Sequence, residues 1–317
     1  MQMPDLSNLF NRAKRHAGLL AAVINGSGVN FVRVSRSGTM PKVEMCVYFP
    51  QAGVTSPILE KLRKDARIGN YQFTTLLNPN EYQLLLVDAP NVPVAELKTA
   101  IRWRIKDTLT YHVDDATVDV LQIPAKSGSE RPQSLYAVAV SNDTIRKRIA
   151  LFENAHIELE VIDIPEMAQR NIAELFEESG RGLALLAFDD AGGLLTLTFE
   201  GELYLARRLE VTSGQLEDAS EGLRQQAIDR IELEVQRSLD YFDRQFNHIP
   251  VSRLLVAAPK QSSLVKVLGN NLDVPVERLD IAQVMDISAV PDLADSDNVA
   301  YALPALGAAL RHEKRAL

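Results

Sequence analysis

"GLALLAFDDAGGLLTLTFEGELYLARRLEV", residues 182–211, holds three apolar runs separated by short turns that carry Asp189, Asp190, Gly192, Gly193 and Gly201. Runs of this length bounded by glycine and acid read as strands, and three in close succession read as an antiparallel meander. The same layout opens the chain. There "GLLAAVIN" (18–25), "VNFVRVSR" (29–36) and "KVEMCVYFP" (42–50) follow one another across small turns. Helical periodicity follows each copy. Two copies of a meander plus helices, joined near Gly180 and Gly182, predict two lobes that face each other across a cleft.

Between the copies, "SPILEKLRKDAR" (56–67) reads as a helix with Pro57 in its first turn and Ile58, Leu59 and Leu62 facing inward. "YQFTTLL" and "EYQLLLVDAP" are strands. The second is apolar almost throughout, as in a strand buried on both faces. "NVPVAEL" opens a separate unit, in which Leu97, Ile101, Ile105 and Leu109 form an apolar stripe over a helix at 94–109. Strands "DATVDVLQIP" and "SLYAVAVS" flank the polar loop "AKSGSERPQ", and a helix at 143–155 completes an αββα insert of about 65 residues. "LEVIDIPE" returns to the sheet, followed by a helix at 166–177. Beyond the second meander the longest helix, 221–246, aligns Ile231, Val235, Leu239, Phe242 and Phe246. Then come the strand "RLLVAAP", a helix near 261–268, the strand "VPVERL" and the acidic loop "PDLADSDN". In the last helix Val299, Leu303, Leu306 and Leu310 stay in register despite Pro304.

The totals narrow the function classes. A chain of 317 residues suits two lobes, and 46% apolar with 24% charged residues gives a globular protein ample core. A net charge of −8 argues against general nucleic-acid binding. Cys46 is the one cysteine. It excludes an internal disulfide, fits a reducing compartment and reads as a small core residue. No run reaches the roughly 20 apolar residues of a membrane span. Arg12, Lys14 and Arg15 precede "GLLAAVI" as in a signal peptide, but that run is too short and leads into a turn, so a cytoplasmic protein is expected. "LSNLFNRAKRH" (6–16) reads as a surface helix, with a weak membrane-surface alternative. His16, His112, His156, His248 and His312 are dispersed, so no metal site is expected. There is no Walker loop and no G-x-S-x-G turn. Asp114 and Asp115 read as exposed acids, and Asp189 with Asp190 as turn formers at the end of a buried strand.

Four stretches, in order, resemble the PilM-like proteins of type IV pilus assembly, most of all the branch serving mannose-sensitive haemagglutinin pili. They are "AELKTAIRWRIKDTLTYHVDDATVDVLQIP" (95–124), "IELEVIDIPEMAQRNIAEL" (157–175), "IELEVQRSLDYFDRQFNHIPVSRLLVAAP" (231–259) and "ALPALGAALR" (302–311). The resemblance implies an α/β, two-lobed actin-like (ribonuclease H-like) fold with a small α+β subdomain inserted in the first lobe. It assigns residues 1–90 and 158–180 to the first lobe and 91–157 to the insert. Residues 181–298 form the second lobe, and 299–317 a C-terminal helix packing back on the first.

Actin-like nucleotide sites need an acid beside the glycines of the first turn, a matching Asp-x-Gly turn in the second lobe, and a glycine-rich strand end against adenosine. By that resemblance the first acid falls at Val23 and the first loop glycine at Asn25, while Gly26, Ser27 and Gly28 survive as a turn. Asp189, Gly192 and Gly193 match the second turn only with a one-residue shift. Ala257 and Ala258 replace the adenosine glycines. A degenerate site follows: no cofactor, ATP and Mg²⁺ disfavoured, and a pseudo-ATPase rather than an enzyme. The alternatives are an ATP-dependent switch of the same machine and a relative of type II secretion cytoplasmic domains.

The family's partner is a PilN-like bitopic inner-membrane protein, whose N-terminal tail lies between the first lobe and the insert. The resemblance therefore implies a cytoplasmic scaffold held at the inner membrane through that tail. Contacts with pilus motor ATPases and homo-oligomers are further options. Arg102, Trp103 and Arg104 are the nearest candidates for the groove. Trp103 lies off its helix's apolar stripe, and either packs the insert onto the first lobe or anchors the peptide.

Overall fold

The computed structural model describes residues 19–26, 28–36, 38–50, 56–64, 71–124 and 133–312. The readings made for residues 6–16, Ser27, the loop at 125–132 and the chain end at 313–317 lie outside these.

The two meanders form, and each grows into a five-stranded sheet by the same route. In the first, β1 (Leu19–Ile24), β2 (Gly28–Ser35) and β3 (Lys42–Pro50) pair antiparallel. Then β4 (Gln72–Leu76) joins β1 and β8 (Leu159–Asp163) joins β4, both parallel, giving the order β3-β2-β1-β4-β8. In the second, β9 (Gly182–Asp189), β10 (Gly192–Phe199) and β11 (Glu202–Leu209) form the meander. Next, β12 (Val251–Ala257) and β13 (Val276–Arg278) add in parallel, for the order β11-β10-β9-β12-β13. Both central strands are continuous apolar runs, as strands covered on both faces require.

Two helices fill the space between the sheets. In α4 (Pro165–Ala173) every residue from Glu166 onward is buried. Its partner α8 (Ser296–Ala309) packs on β1, β2 and β4 and also on β9 and β12, so it belongs to both lobes rather than to the first alone. The helices touch backbone to backbone. A Cβ added at Gly307 would overlap the Ala168 carbonyl, and the Asn171 side-chain amide donates to the Gly307 carbonyl at 2.9 Å. Pro304 sits inside α8 without ending it. Part of the "acidic loop" is the start of this helix, where Asp295 caps it by accepting the Asp297 N–H at 3.0 Å.

The insert is a three-stranded sheet in the order β5-β7-β6, built from β5 (Tyr82–Asp88), β6 (Ala116–Gln122) and β7 (Ser134–Ser141). One face is covered by α2 (Val94–Arg104), whose Leu97 and Ile101 pack with Leu135, Ala137 and Ala139. From the other face Tyr82, Tyr136, Val138 and Val140 join the core of the second lobe. Two boundaries shift as a result. Since β5 pairs with β7 along its whole length, the insert begins before residue 82 rather than at 91. And α3 (Asn142–Asn154) leaves it, packing Phe152 with Ile58, Leu59 and Phe73 in the first lobe. An edge strand is not covered all round, so β5 is only half-buried and Leu86 is 49% exposed. The helix predicted at 94–109 also stops at Arg104, with Ile105 as its cap.

Candidate functional site

The β1–β2 and β9–β10 turns face each other across the inter-lobe cleft, and α8 forms a third wall. Val23, Asn25, Asn30, Asp189, Asp190 and Tyr301 are brought together there around a cavity of about 40 Å³. That holds a few waters and falls far below the 300–1,000 Å³ of small-molecule sites. Gly28, Gly192 and Gly193 lie in or beside the same turns. Ala257 and Ala258 are buried at the end of β12 and do not line the cavity.

The turn amides decide what the cleft can hold. A phosphate cradle needs N–H groups turned toward the anion and left open. In the first turn the Gly28 N–H donates to Asn25 Oδ1 at 2.8 Å, and the Asn25 N–H donates to the Gly28 carbonyl at 3.0 Å. In the second, Asp189 Oδ1 accepts the N–H groups of Ala191 (2.8 Å) and Gly192 (3.1 Å). The Gly28, Ala191 and Gly192 amides are thus taken by side chains of their own turns. Burial pushes the Asp189 carboxyl above its usual range, although those two amides favour its charge.

The first-lobe wall offers Val23 and Asn30 and no carboxylate, and the Asn30 amide donates to the Tyr301 carbonyl at 3.2 Å. The surviving glycines have structural reasons to be there. A Cβ at Gly28 would overlap the Phe49 carbonyl, and Gly192 has φ of 135°. At the end of β12 the Ala258 carbonyl is taken by Arg278 Nη1 at 2.7 Å. A magnesium triphosphate requires open amides and a carboxylate on the first turn. These residues do not fit it. Among the described residues, no group of three His, Cys, Asp or Glu is placed to hold a metal ion.

A larger space lies between the insert and the second lobe, a groove of about 540 Å³. Leu84 and Leu86 come from the insert face opposite α2. Leu205 to Arg208 come from β11, and Glu234 and Tyr241 from α6 (Glu221–Gln245). At its base three parts of the molecule meet. Tyr82 of the insert donates its hydroxyl to Glu166 Oε2 of α4 at 2.5 Å. Arg208 of the second lobe donates to Glu166 Oε1 through Nε (3.1 Å) and Nη2 (2.9 Å), and to the Tyr82 hydroxyl at 2.9 Å. Burial, reinforced by the Glu166 charge, pushes the Tyr82 hydroxyl far up. Burial also works against the Arg208 charge, but Glu166 more than restores it and the guanidinium pKa is raised. Close by, the Tyr136 hydroxyl accepts the Ala206 N–H at 3.0 Å.

Arg102, Trp103 and Arg104 do not line this space. Arg102 donates twice to the Val113 carbonyl, at 2.9 and 2.7 Å, and Arg104 donates to the Asp88 carbonyl at 2.9 Å. Both fasten the end of α2 to its own insert. Trp103, 56% exposed, rides on the helix that covers the insert face turned away from the 540 Å³ groove. Sequence reasoning missed Tyr82, Tyr136, Glu166, Arg207 and Arg208. The usable signal was the Arg–Arg pair inside the otherwise apolar strand "ELYLARRLEV".

No family model matches the chain, and no curated protein matches it in sequence. Among solved structures it is similar to a PilM–PilN type IV pilus biogenesis complex. The TM-score is 0.72 at 16% identity, over 92% of this chain and 98% of that one. Two more distant matches are the cytoplasmic domain of EpsL, an inner-membrane component of the type II secretion system of Vibrio cholerae, and a Bacteroides thetaiotaomicron protein with an actin-like ATPase fold. The EpsL domain gives a TM-score of 0.46 at 12% identity, over 76% of this chain and 82% of that one. The Bacteroides protein gives 0.47 at 10%, over 90% and 99%. Neither carries an argument at that distance. What the first match shows is the fold: the chain is a two-lobed, actin-like α/β protein.

Proposed function

We propose that this chain is a non-catalytic scaffold of a type IV pilus biogenesis machine, a PilM-like protein of the MshI branch that serves mannose-sensitive haemagglutinin pili. In this reading it holds the cytoplasmic N-terminal tail of a PilN-like inner-membrane protein and binds no nucleotide. One observation carries it: the Gly28 amide of the first turn and the Ala191 and Gly192 amides of the second are taken by Asn25 and Asp189, beside a valine where magnesium would need an acid. The likeness to PilM over nearly its whole length supports the choice of partner.

Among the described residues no helix is long and apolar enough to cross a membrane, so the tail would supply the membrane attachment. Motor-ATPase contacts and self-association belong to the same reading, to be tested by co-purification. Two measurements test its core. Melting with and without millimolar Mg-ATP should give the same temperature, whereas a ligand at a hundred times its Kd would add about 2.7 kcal/mol. A clear rise refutes the nucleotide-free scaffold. Calorimetric titration with the PilN-like tail should show binding, and its absence removes the proposed partner.

A further inference from the structure

We infer that the insert is a strap that holds the two lobes at one closure angle, fastened by the hydrogen bonds that Tyr82 and Tyr136 make to Glu166, Arg208 and Ala206. This goes beyond the scaffold reading and does not depend on any tail being bound.

The strap is rooted in the first lobe. It leaves that lobe through the turn at 78–81, which is closed on itself. The Glu81 N–H donates to the Asn78 carbonyl at 2.9 Å, and Glu81 Oε2 accepts the Asn78 N–H at 2.6 Å. The same oxygen accepts from Arg148 Nη2 of α3 at 2.6 Å, while Arg148 Nη1 donates to the Leu76 carbonyl at the end of β4 at 2.8 Å. Arg148 is buried, and Phe152 of the same helix packs with Phe73 of β4. The next residue, Tyr82, reaches the other way, to Glu166 and to Arg208 of β11. Pro79 lines both the cleft cavity and the groove, so this turn stands where the two spaces meet.

Drawing the cleft turns apart would have to pull β11 off the insert or the insert off the first lobe. The first takes Tyr136, Val138 and Val140 out of the second-lobe core, and the second breaks the Arg148 contacts. Apolar contact alone resists separation but permits sliding, because burial is non-directional. Hydrogen bonds set the angle. The Tyr82 hydroxyl lies 2.5 Å from Glu166 Oε2 and 2.9 Å from Arg208 Nη2, and the Tyr136 hydroxyl 3.0 Å from the Ala206 nitrogen. A lengthening of about 1 Å ends contacts of this kind. It would also leave buried polar groups unpaired, which costs more than a hydrogen bond gains. The cleft cavity of about 40 Å³ is therefore a resting state and not the end of a closing stroke.

The test is the distance between spin labels on the two lobes, measured by pulsed electron paramagnetic resonance on the full chain carrying Cys46→Ser. The labels go on Glu60→Cys in α1 (Ser56–Lys64) and Lys266→Cys in α7 (Leu264–Asn271), both exposed positions. This parent should give one narrow distance distribution. Tyr82→Phe combined with Tyr136→Phe keeps both rings, and with them the apolar contact, but removes the hydroxyls. Its distribution should broaden and shift away from the parent distance. Tyr82→Phe alone should do the same to a smaller extent, and it decides the matter if the double variant does not fold. Ile231→Val, a buried change in α6 that touches none of these bonds, should lower the melting temperature and leave the distribution narrow. That separates lost closure from lost stability. A broad or split distribution in the parent overturns the inference. So does a folded double variant as narrow as the parent, or, where the double variant does not fold, a Tyr82→Phe protein as narrow. Broadening by Ile231→Val equal to that of the tyrosine variants overturns it too.

Discussion

Replacing Glu166 by Gln would measure how much the meeting point of insert, central helix and second lobe depends on charge. The substitution keeps the side-chain volume, so no cavity opens. What disappears is the counter-charge of Arg208 and one of the two oxygens that now serve Tyr82 and Arg208 separately. Breaking a buried pair by removing one partner costs about 3–5 kcal/mol. Glu166 is 1% exposed, but the Arg208 side chain is 33% exposed and keeps some water. That places the expected loss near the lower bound, about 3 kcal/mol. Against total stabilities of about 5–15 kcal/mol it is a large share. Urea unfolding followed by circular dichroism should show a lower midpoint at unchanged slope. Tyr82→Phe removes one hydrogen bond to a charged group and should cost about 1.5 kcal/mol. The two changes should combine non-additively, since they share Glu166. A loss below about 1 kcal/mol for Glu166→Gln, the size of a surface pair, would refute the claim that this pair acts as a buried one.

Gly307→Ala should be among the most damaging single-methyl changes, because the new carbon meets the backbone of Ala168 rather than a movable side chain. A loss of about 3 kcal/mol or failure to accumulate is expected, read by melting, and a neutral result would mean the helices can part freely. Asp189→Asn should stabilise the protein near pH 7. Burial holds the folded carboxyl pKa above the unfolded value of about 3.9, so wild type loses stability as pH climbs through that interval. The advantage of the amide should shrink as pH falls back through it, and a difference that does not change with pH would contradict the buried charge. Burial pushes the Cys46 thiol up to about 11. Its alkylation at pH 8 should therefore run on the order of 100 times slower than that of an unperturbed thiol, and a fast reaction would place Cys46 nearer solvent.

The duplication was legible because it is local: each meander announces itself through turns and apolar runs within about thirty residues. Asp189 was readable as a turn former for the same reason, since its two hydrogen bonds reach only to Ala191 and Gly192. What escaped was membership. The "LLL" of β5 looks buried on both faces, yet Leu85 goes under α2 while Leu84 and Leu86 face the groove. The sequence at 143–155 announces a helix, not that its Phe152 meets Phe73 seventy-nine positions earlier (152 − 73). Glu166, just after Pro165, reads as an ordinary first-turn acid, and its partners sit 84 and 42 positions away. Pairings at such separation leave no periodic trace in one sequence.

The placement of α8 has a consequence for synthesis. Residues 296–310 are made after both sheets they lie between, and Leu306 and Leu310 end fully buried there. A nascent chain that has finished β13 therefore carries an oily seam, open to water and to stray helices, which nothing upstream in the described residues can close. Final assembly of the two halves waits on translation of that last segment, and truncation just ahead of it should yield a chaperone client instead of a smaller stable protein.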